Sequence, residues 1–179
     1  MKIGVISDTH GHMDAEALEI LRGSDLIFHL GDIGSADVIA ELEKIAPVRA
    51  VAGNHEPDDI AGRYGKMETF EAGGKTFLLS HGFITFSWEH INMFFSGYMR
   101  KVNEMKFDCL VYGHSHYPSI KRMGARYFFN PGYAGPDTTH PGRAVGLIEI
   151  TGGEMKFKVI KLKSTGYRGS EILEEVITA

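Results

Sequence analysis

The sequence predicts an α/β protein with two mixed β-sheets packed face to face and helices outside, a four-layer α/β/β/α sandwich. Strand and helix patterns alternate over residues 2–52, and hairpin patterns follow from residue 67 onward. The chain has 179 residues, of which 43% are hydrophobic, so it can bury a substantial core. We therefore expect a single domain over residues 1–179.

The first half of the chain alternates between two kinds of apolar pattern. Short apolar runs rich in β-branched residues predict strands at 2–7, 25–30 and 47–52. Apolar residues spaced three and four apart predict helices over 13–23 and from Ser35 to about Lys44. This β-α-β-α-β order favours a parallel sheet with right-handed crossovers.

The second half is rich in predicted hairpins. Gly73-Gly74 and Gly152-Gly153 are typical hairpin turns, and a third hairpin follows residue 119. The remaining predicted elements are a helix over 88–105, a buried strand over 107–112 and a last helix over 170–178 that Ser170 would cap.

Composition and charge exclude several classes of function. The net charge is −4 and no block of Lys and Arg is present, so we expect neither specific nucleic-acid binding nor attachment to a membrane. The first apolar run is too short for the core of a signal peptide. The lone cysteine, Cys109, cannot form an intramolecular disulfide, and a cytoplasmic location is expected.

Polar side chains follow five of the predicted strands, at the point where each strand ends. In an open α/β sheet the carboxyl ends of the strands face one crevice, so these side chains are expected to lie close together. They are Asp8 and His10, Asp32, Asn54 and His55, His81, and His114 and His116.

This mixture of side chains is typical of a metal centre. Imidazole nitrogen and carboxylate or amide oxygen together suit manganese first, with nickel, iron, cobalt and zinc as alternatives. Even without His55, the seven other donors are too many for one tetrahedral zinc ion, and they fit two divalent ions that share a carboxylate. Two such ions bring four positive charges and two aspartates remove two, which leaves a cationic site that attracts phosphate.

The segments SDTHG, GDI, GNHE, SHG and GHSH resemble, in order and approximate spacing, the motifs of the calcineurin-like metallophosphoesterases. The resemblance covers residues 7–116, about two-thirds of the chain. It implies that Asp32 bridges two ions and that His55 binds the phosphate or protonates the leaving oxygen. The implied ligands are Asp8, His10 and His116 for the first ion, and Asn54, His81 and His114 for the second.

Only 25 residues separate His55 from His81, which resembles the compact phosphodiesterase branch of this family. The expected activity is hydrolysis of small-molecule phosphodiesters, with a hydroxide held between the two ions as the nucleophile. The run Asp32-Ile33-Gly34-Ser35 lacks the arginine that protein phosphatases of the family carry there. The apolar helix predicted over 88–105 is expected in the core, with a lid or a homo-oligomer contact as alternatives.

Other functions remain open at this point. The chain could be a phosphomonoesterase or nucleotide hydrolase of the same superfamily, a single-zinc hydrolase, or a non-catalytic scaffold with this fold. His29 is expected in the core or against the ligands, and His140 has no assigned role. The run FFNPGY, with Asn130, resembles an Asn-Pro-Gly-Ser turn of the family, but Tyr133 replaces the serine.

Overall fold

The computed structural model describes residues 1–82, 104–163 and 172–173. The helices in these residues are α1 (Ala15–Leu21), α2 (Ala36–Glu43) and α3 (Asp58–Ala61). The strands are β1 (Lys2–Ile6), β2 (Leu26–His29), β3 (Val48–Ala50), β4 (Met67–Ala72), β5 (Lys75–Ser80), β6 (Cys109–Tyr112), β7 (Ser119–Met123), β8 (Arg126–Asn130), β9 (Ala144–Thr151), β10 (Glu154–Lys161) and β11 (Ile172–Leu173).

These strands form two mixed sheets. The first has the order β11-β10-β9-β1-β2-β3, in which β1, β2 and β3 are parallel and β9, β10 and β11 run antiparallel to their neighbours. The second has the order β4-β5-β6-β8-β7, in which β5, β6 and β8 are parallel. The parallel strands β1, β2 and β3 of the first sheet and β5 and β6 of the second place five polar strand ends where one crevice can form.

The main core lies between the two sheets. Val5 and Phe28 of the first sheet belong to the same buried cluster as Phe77 and Phe129 of the second. A second cluster joins the other face of the first sheet to the helices, with Leu21 of α1 and Leu42 of α2 fully buried. The prediction of two mixed sheets packed face to face with helices outside is confirmed.

Two predicted elements have different outcomes. The helix expected over 170–178 is wrong at residues 172–173, which pair as β11 with Val159 and Ile160 of β10. The ladder hydrogen bonds along this strand outweigh the helical pattern of the local sequence. Of the helix expected over 88–105, residues 88–103 lie outside the described part of the chain, and Glu104 is helical.

A short helix was missed altogether. α3 spans four residues after Pro57, too few for a periodic apolar pattern to reveal. Within the described residues, no helix is both long and apolar enough to cross a lipid bilayer.

An ion pair joins the start of α1 to Arg143, the residue directly before β9. Asp14 caps the helix by accepting hydrogen bonds from the backbone N–H groups of Glu16 and Ala17, at 2.7 and 3.3 Å. Its other oxygen accepts a hydrogen bond from Arg143, which is only 3% exposed. Burial opposes the charge on Asp14, but Arg143 and the capping bonds hold the pKa of its carboxyl below the usual value.

We expect Asp14→Asn to lower the free energy of unfolding by about 2–3 kcal/mol at pH 7, because the amide keeps the cap but leaves a buried guanidinium without its anion. The native state holds the pKa of Asp14 below its ordinary value, so this contribution is present above pH 4 and is lost as the pH falls further. Denaturant titrations of both proteins at pH 7 and pH 3 measure the difference.

The control is Asp37→Asn, which changes an exposed carboxylate in the first turn of α2. It is expected to cost less than about 1 kcal/mol. Equal losses for the two variants at pH 7 would show that the pair with Arg143 contributes nothing beyond the helix terminus.

Candidate metal centre

The polar ends of strands from both sheets meet at one edge of the sandwich. His81 follows β5 in the second sheet, and its Nδ1 atom lies 2.7 Å from the carbonyl oxygen of Leu30, which follows β2 in the first. The backbone N–H of His114, after β6, donates a hydrogen bond of 3.1 Å to Oδ2 of Asp8, after β1. The convergence that the sequence predicts is therefore observed.

One group of donor atoms contains Asp8, His10 and His116. One atom from each of these side chains lies within 4.8 Å of the other two. Nε2 of His116 is 3.2 Å from Oδ1 of Asp8. These are the three side chains that the family resemblance assigns to the first ion.

A second group contains Asp8, Asp32 and His81, again with donor atoms within 4.8 Å of one another. Two further predicted ligands border it through Nε2 of His81. Oδ1 of Asn54 lies 3.0 Å from that atom, and Nδ1 of His114 lies 3.3 Å from it. All seven predicted ligands are thus brought together, and their roles as ligands stay predictions.

The two aspartates connect the two groups. Oδ2 of Asp32 is 3.9 Å from Nε2 of His10, and Oδ1 of Asp32 is 3.4 Å from Nε2 of His81. Asp32 therefore faces a histidine of each predicted set, as a bridging carboxylate would. Asp8 also belongs to both compact groups, an arrangement that the sequence analysis did not anticipate.

The carboxylate of Asp8 has an oxygen that suits a cation. Its side chain is 0% exposed, and Oδ2 accepts hydrogen bonds from Ser7 at 2.5 Å and from the backbone of His114. Oδ1 is buried and accepts no hydrogen bond among the described residues. A buried anionic oxygen without a donor is costly, and it points toward imidazole nitrogens that are themselves metal ligands. The residues present therefore fit a divalent ion.

The pKa values of Asp32 and His81 also fit a site that binds a metal ion. Burial opposes the charge on Asp32, but hydrogen bonds from His81 and from the backbone of His55 hold the pKa of its carboxyl well below the usual range. Burial also opposes the charge on His81, and the carboxylates of Asp32 and Asp8 outweigh it and raise the pKa of the imidazole. A proton on His81 offsets the aspartate charges, and a metal ion bound at Nε2 would replace that proton.

The backbone is strained at these side chains. Five non-glycine residues in the described part of the chain have a left-handed φ, between 48° and 65°, and all five are predicted ligands. Such a conformation costs about 1–3 kcal/mol for each residue and persists only where the surrounding structure enforces it. These residues are Asp8, His10, Asp32, His114 and His116.

Two glycines allow the loops to approach one another. A Cβ atom at Gly53 would collide with the carboxylate of Asp32, and one at Gly113 would collide with Ser7 and lie 2.9 Å from Oδ2 of Asp8. Any side chain at either position would displace an aspartate from the site. The GN and GH pairs of the motifs are therefore a steric requirement.

Glu56 holds two of the loops together. Oε1 accepts hydrogen bonds of 2.9 Å from the backbone N–H groups of Ile33 and Gly53, and Oε2 accepts one of 3.0 Å from Gly34. The side chain therefore fixes the loop that carries Asp32 against the loop that carries Asn54.

Asn130 plays a comparable part for the loop after β6. Its amide nitrogen donates hydrogen bonds to the carbonyl oxygen of Gly113 and the hydroxyl of Ser115, at 2.9 and 3.0 Å. Its oxygen accepts a bond of 2.9 Å from Gly132. Asn130 is fully buried, so the FFNPGY run positions the loop that carries His114 and His116.

His29 is a structural residue, as the sequence analysis expected. The hydroxyl of Thr9 donates to the carbonyl oxygen of Ile33 and lies 2.9 Å from Nε2 of His29. Nε2 of His29 is therefore the donor in this pair. Full burial lowers the pKa of His29 to about 3, so the ring is neutral at physiological pH.

His55 lies at the open side of the site. Its backbone N–H donates a hydrogen bond of 2.8 Å to Oδ1 of Asp32, and the residue is exposed. Its ring centroid is 6.3 Å from that of His10. The ring is thus beside the first donor group and accessible to a bound ester.

Two features beside the site were not predicted. A cavity of about 460 Å³ adjoins His81 and His114, and Lys66 contributes to its wall. On the other side, the ring of Tyr133 lies 4.7 Å from that of His116, and His140 packs against both. Because these residues lie in loops of irregular spacing, no sequence pattern indicates that they adjoin the strand ends.

Comparison with known proteins agrees with this geometry. Residues 1–153 match the model of the calcineurin-like phosphoesterase superfamily domain. The chain is 30% identical over 171 residues to a probable metallophosphoesterase of Methanothermobacter thermautotrophicus, which covers 90% of this chain and 92% of that protein. It is 29% identical over 143 residues to a phosphodiesterase of Methanocaldococcus jannaschii, with 74% and 83% covered.

A solved structure of a Vps29 single mutant from Entamoeba histolytica has the same fold. Its TM-score is 0.70 at 25% identity, and the match covers 90% of this chain and 93% of that one. The family match spans all five motif segments that the sequence analysis identified, since all lie before residue 153. The chain belongs to the calcineurin-like phosphoesterase superfamily.

Proposed function

We propose that this protein is a phosphodiesterase that uses two divalent metal ions to hydrolyse small phosphodiesters. The observation that carries the proposal is the pair of donor groups that share Asp8, with Asp32 facing both. Manganese is the first choice of metal because the donors mix imidazole with carboxylate and amide oxygen, and nickel, iron, cobalt and zinc are the alternatives.

The proposed metal ligands form two sets, one for each ion. Asp8, His10 and His116 would hold one ion, and Asn54, His81 and His114 the other, with Asp32 between them. When bound, the ions supply Lewis-acid activation of water and of the phosphoryl group. The buried carboxylates fix the position of the ions, and the supporting contacts of Glu56 and Asn130 keep the loops from moving apart.

Two cationic or protic side chains would act on the ester itself. His55 is placed to donate a proton to the leaving oxygen or a hydrogen bond to the phosphate. Lys66 lines the cavity beside His114, where its ammonium group donates to the carbonyl oxygen of Gly53. None of the ion pairs among the described residues involves Lys66, which suits an anionic substrate.

A scaffold function is the rival, and the likeness to Vps29 favours it. The complete set of donors favours the enzyme, since a scaffold has no need for five strained residues, two of them buried aspartates, at one edge of the fold.

The deciding experiment combines metal analysis with an activity panel. The enzyme is expected to bind two transition-metal ions per chain and to hydrolyse bis(p-nitrophenyl) phosphate faster than p-nitrophenyl phosphate. Faster monoester hydrolysis would establish a phosphomonoesterase. One zinc ion per chain would indicate a mononuclear hydrolase, and well under one ion without hydrolysis would establish the scaffold.

Asp32→Asn is expected to lower kcat/KM for bis(p-nitrophenyl) phosphate by about a hundredfold or more, because both ions lose a charged ligand. The variant should stay folded, since the amide oxygen can still accept the hydrogen bond from His55. The variant should also bind metal more weakly, so added metal should raise its Tm less than that of the unmodified protein. Thermal unfolding at increasing metal concentration measures this difference.

The matched control is Asp37→Asn, an exposed carboxylate on α2 outside the site. Its rate and its metal-dependent rise in Tm should equal those of the unmodified protein. A near-normal rate for Asp32→Asn would contradict the bridging role.

His55→Ala is expected to slow methyl phenyl phosphate more than methyl p-nitrophenyl phosphate, because p-nitrophenolate leaves with little need for a proton. A general acid contributes about 10²–10⁴-fold for a poor leaving group. Steady-state kinetics with this pair of esters isolates the leaving group. His55→Gln keeps a hydrogen-bond donor, so restored rates for both esters would make His55 a phosphate contact and exclude the acid role.

A further inference from the structure

A series of aromatic rings leads from the metal centre to the protein surface. Tyr133 packs against His116 at 4.7 Å, and His140 packs against Tyr133 at 4.6 Å between ring centroids. Tyr117 continues the series, 5.5 Å from His140. The innermost ring, His116, is a predicted metal ligand, so the series begins at the reacting centre.

The outer end of this series is open to a ligand. Tyr133 is buried at 6% exposure, whereas Tyr117 is 57% exposed. The planes of the Tyr117 and His140 rings are tilted by 50°, so the two rings do not stack flat on each other. A large exposed aromatic side chain beside an active-site ligand is a surface that a planar group can cover.

The loop that carries His140 is held in place by its backbone. The N–H of Tyr133 donates to the carbonyl oxygen of Gly142 at 3.0 Å, and the N–H of Ala144 donates to that of Tyr133 at 2.9 Å. The N–H of Gly142 also donates to Nδ1 of His140 at 3.0 Å. A neutral His140 therefore carries its proton on Nε2, which leaves a donor free of this backbone contact.

We propose that Tyr117 and His140 form a stacking subsite for the nucleobase of a nucleoside phosphate. The inference rests on the proposed function, because the phosphate would sit at the metal centre while the base lies against the rings. The continuity of the rings with His116 is what connects the two positions.

The chemistry of the surface favours a nucleobase over an alkyl ester. Every base has a π face, and stacking on an aromatic side chain is worth about 1–3 kcal/mol by alanine substitution. An alkyl group would gain only from the apolar area that it covers. Nε2 of His140 can also donate a hydrogen bond to the acceptor atoms at the edge of a base.

The test compares two ligands that differ only in the base. Metal-loaded protein is titrated calorimetrically with adenosine 5′-monophosphate and with ribose 5-phosphate. The nucleotide is expected to bind about tenfold more tightly. Tyr117→Ala should remove this preference and leave the affinity for ribose 5-phosphate unchanged, whereas Tyr117→Phe should retain it.

The control is Met123→Ala, which truncates another large exposed side chain, 60% exposed on β7, away from the rings. It should leave both affinities unchanged. Equal affinity of the unmodified protein for the two ligands would overturn the subsite. The subsite would also be overturned if Tyr117→Ala lowered the affinity for both ligands equally. The same holds if the variant changed only the oligomeric state, measured as the molar mass in light scattering, and neither affinity.

Failure of the proposed function has a different signature. If no phosphoester in the activity panel is hydrolysed, the enzyme assignment is wrong, yet a base-dependent affinity that Tyr117→Ala abolishes would still support the subsite. If the panel shows hydrolysis but the nucleotide has no advantage, the function stands and the subsite is overturned.

Discussion

Two buried carboxylates at the edge of a β-sandwich constrain the rest of this structure. Asp8 and Asp32 are almost fully buried, and the ion-pair partners described for them are histidines, with no Lys or Arg among them. Because a buried charge without a counter-ion is very costly, these carboxylates need either a protonated His81 or bound metal ions to offset their charge. The left-handed backbone, the Cβ-free glycines and the clamp of Glu56 all serve to hold these anions and their imidazole neighbours in one small volume.

The convergence of these side chains could be predicted from the sequence because the governing rule is local. Each donor follows a strand directly, and the carboxyl ends of parallel strands share an edge, so Asp8, Asn54 and His114 could be placed without knowing any contact. The position of Asp8 within both groups depends on side-chain directions across two sheets, which no spacing encodes. The strand at residues 172–173 could not be predicted either, since its partner β10 decides the conformation.

Membership of the superfamily narrows the expected reaction to the hydrolysis of phosphoesters. It does not separate an enzyme from a non-catalytic scaffold, and that distinction depends on the metal-ligand residues. The chain is 29% identical to a named phosphodiesterase and 25% identical to a Vps29 of known structure. In this chain all seven predicted ligands are present and converge, and two different groups of side chains border them. One group carries the cation of Lys66, and the other carries the rings of Tyr133 and His140.

The place of β1 in the first sheet has a consequence for biosynthesis. β1 lies between β2 and β9, and β9 is translated more than 100 residues after it. While the ribosome is still making the middle of the protein, one side of the first strand has backbone groups that no neighbour has yet satisfied. Such a nascent edge is prone to self-association, and closing so long a loop slows folding. A chaperone that shields β1 of the nascent polypeptide would therefore raise the yield of native protein.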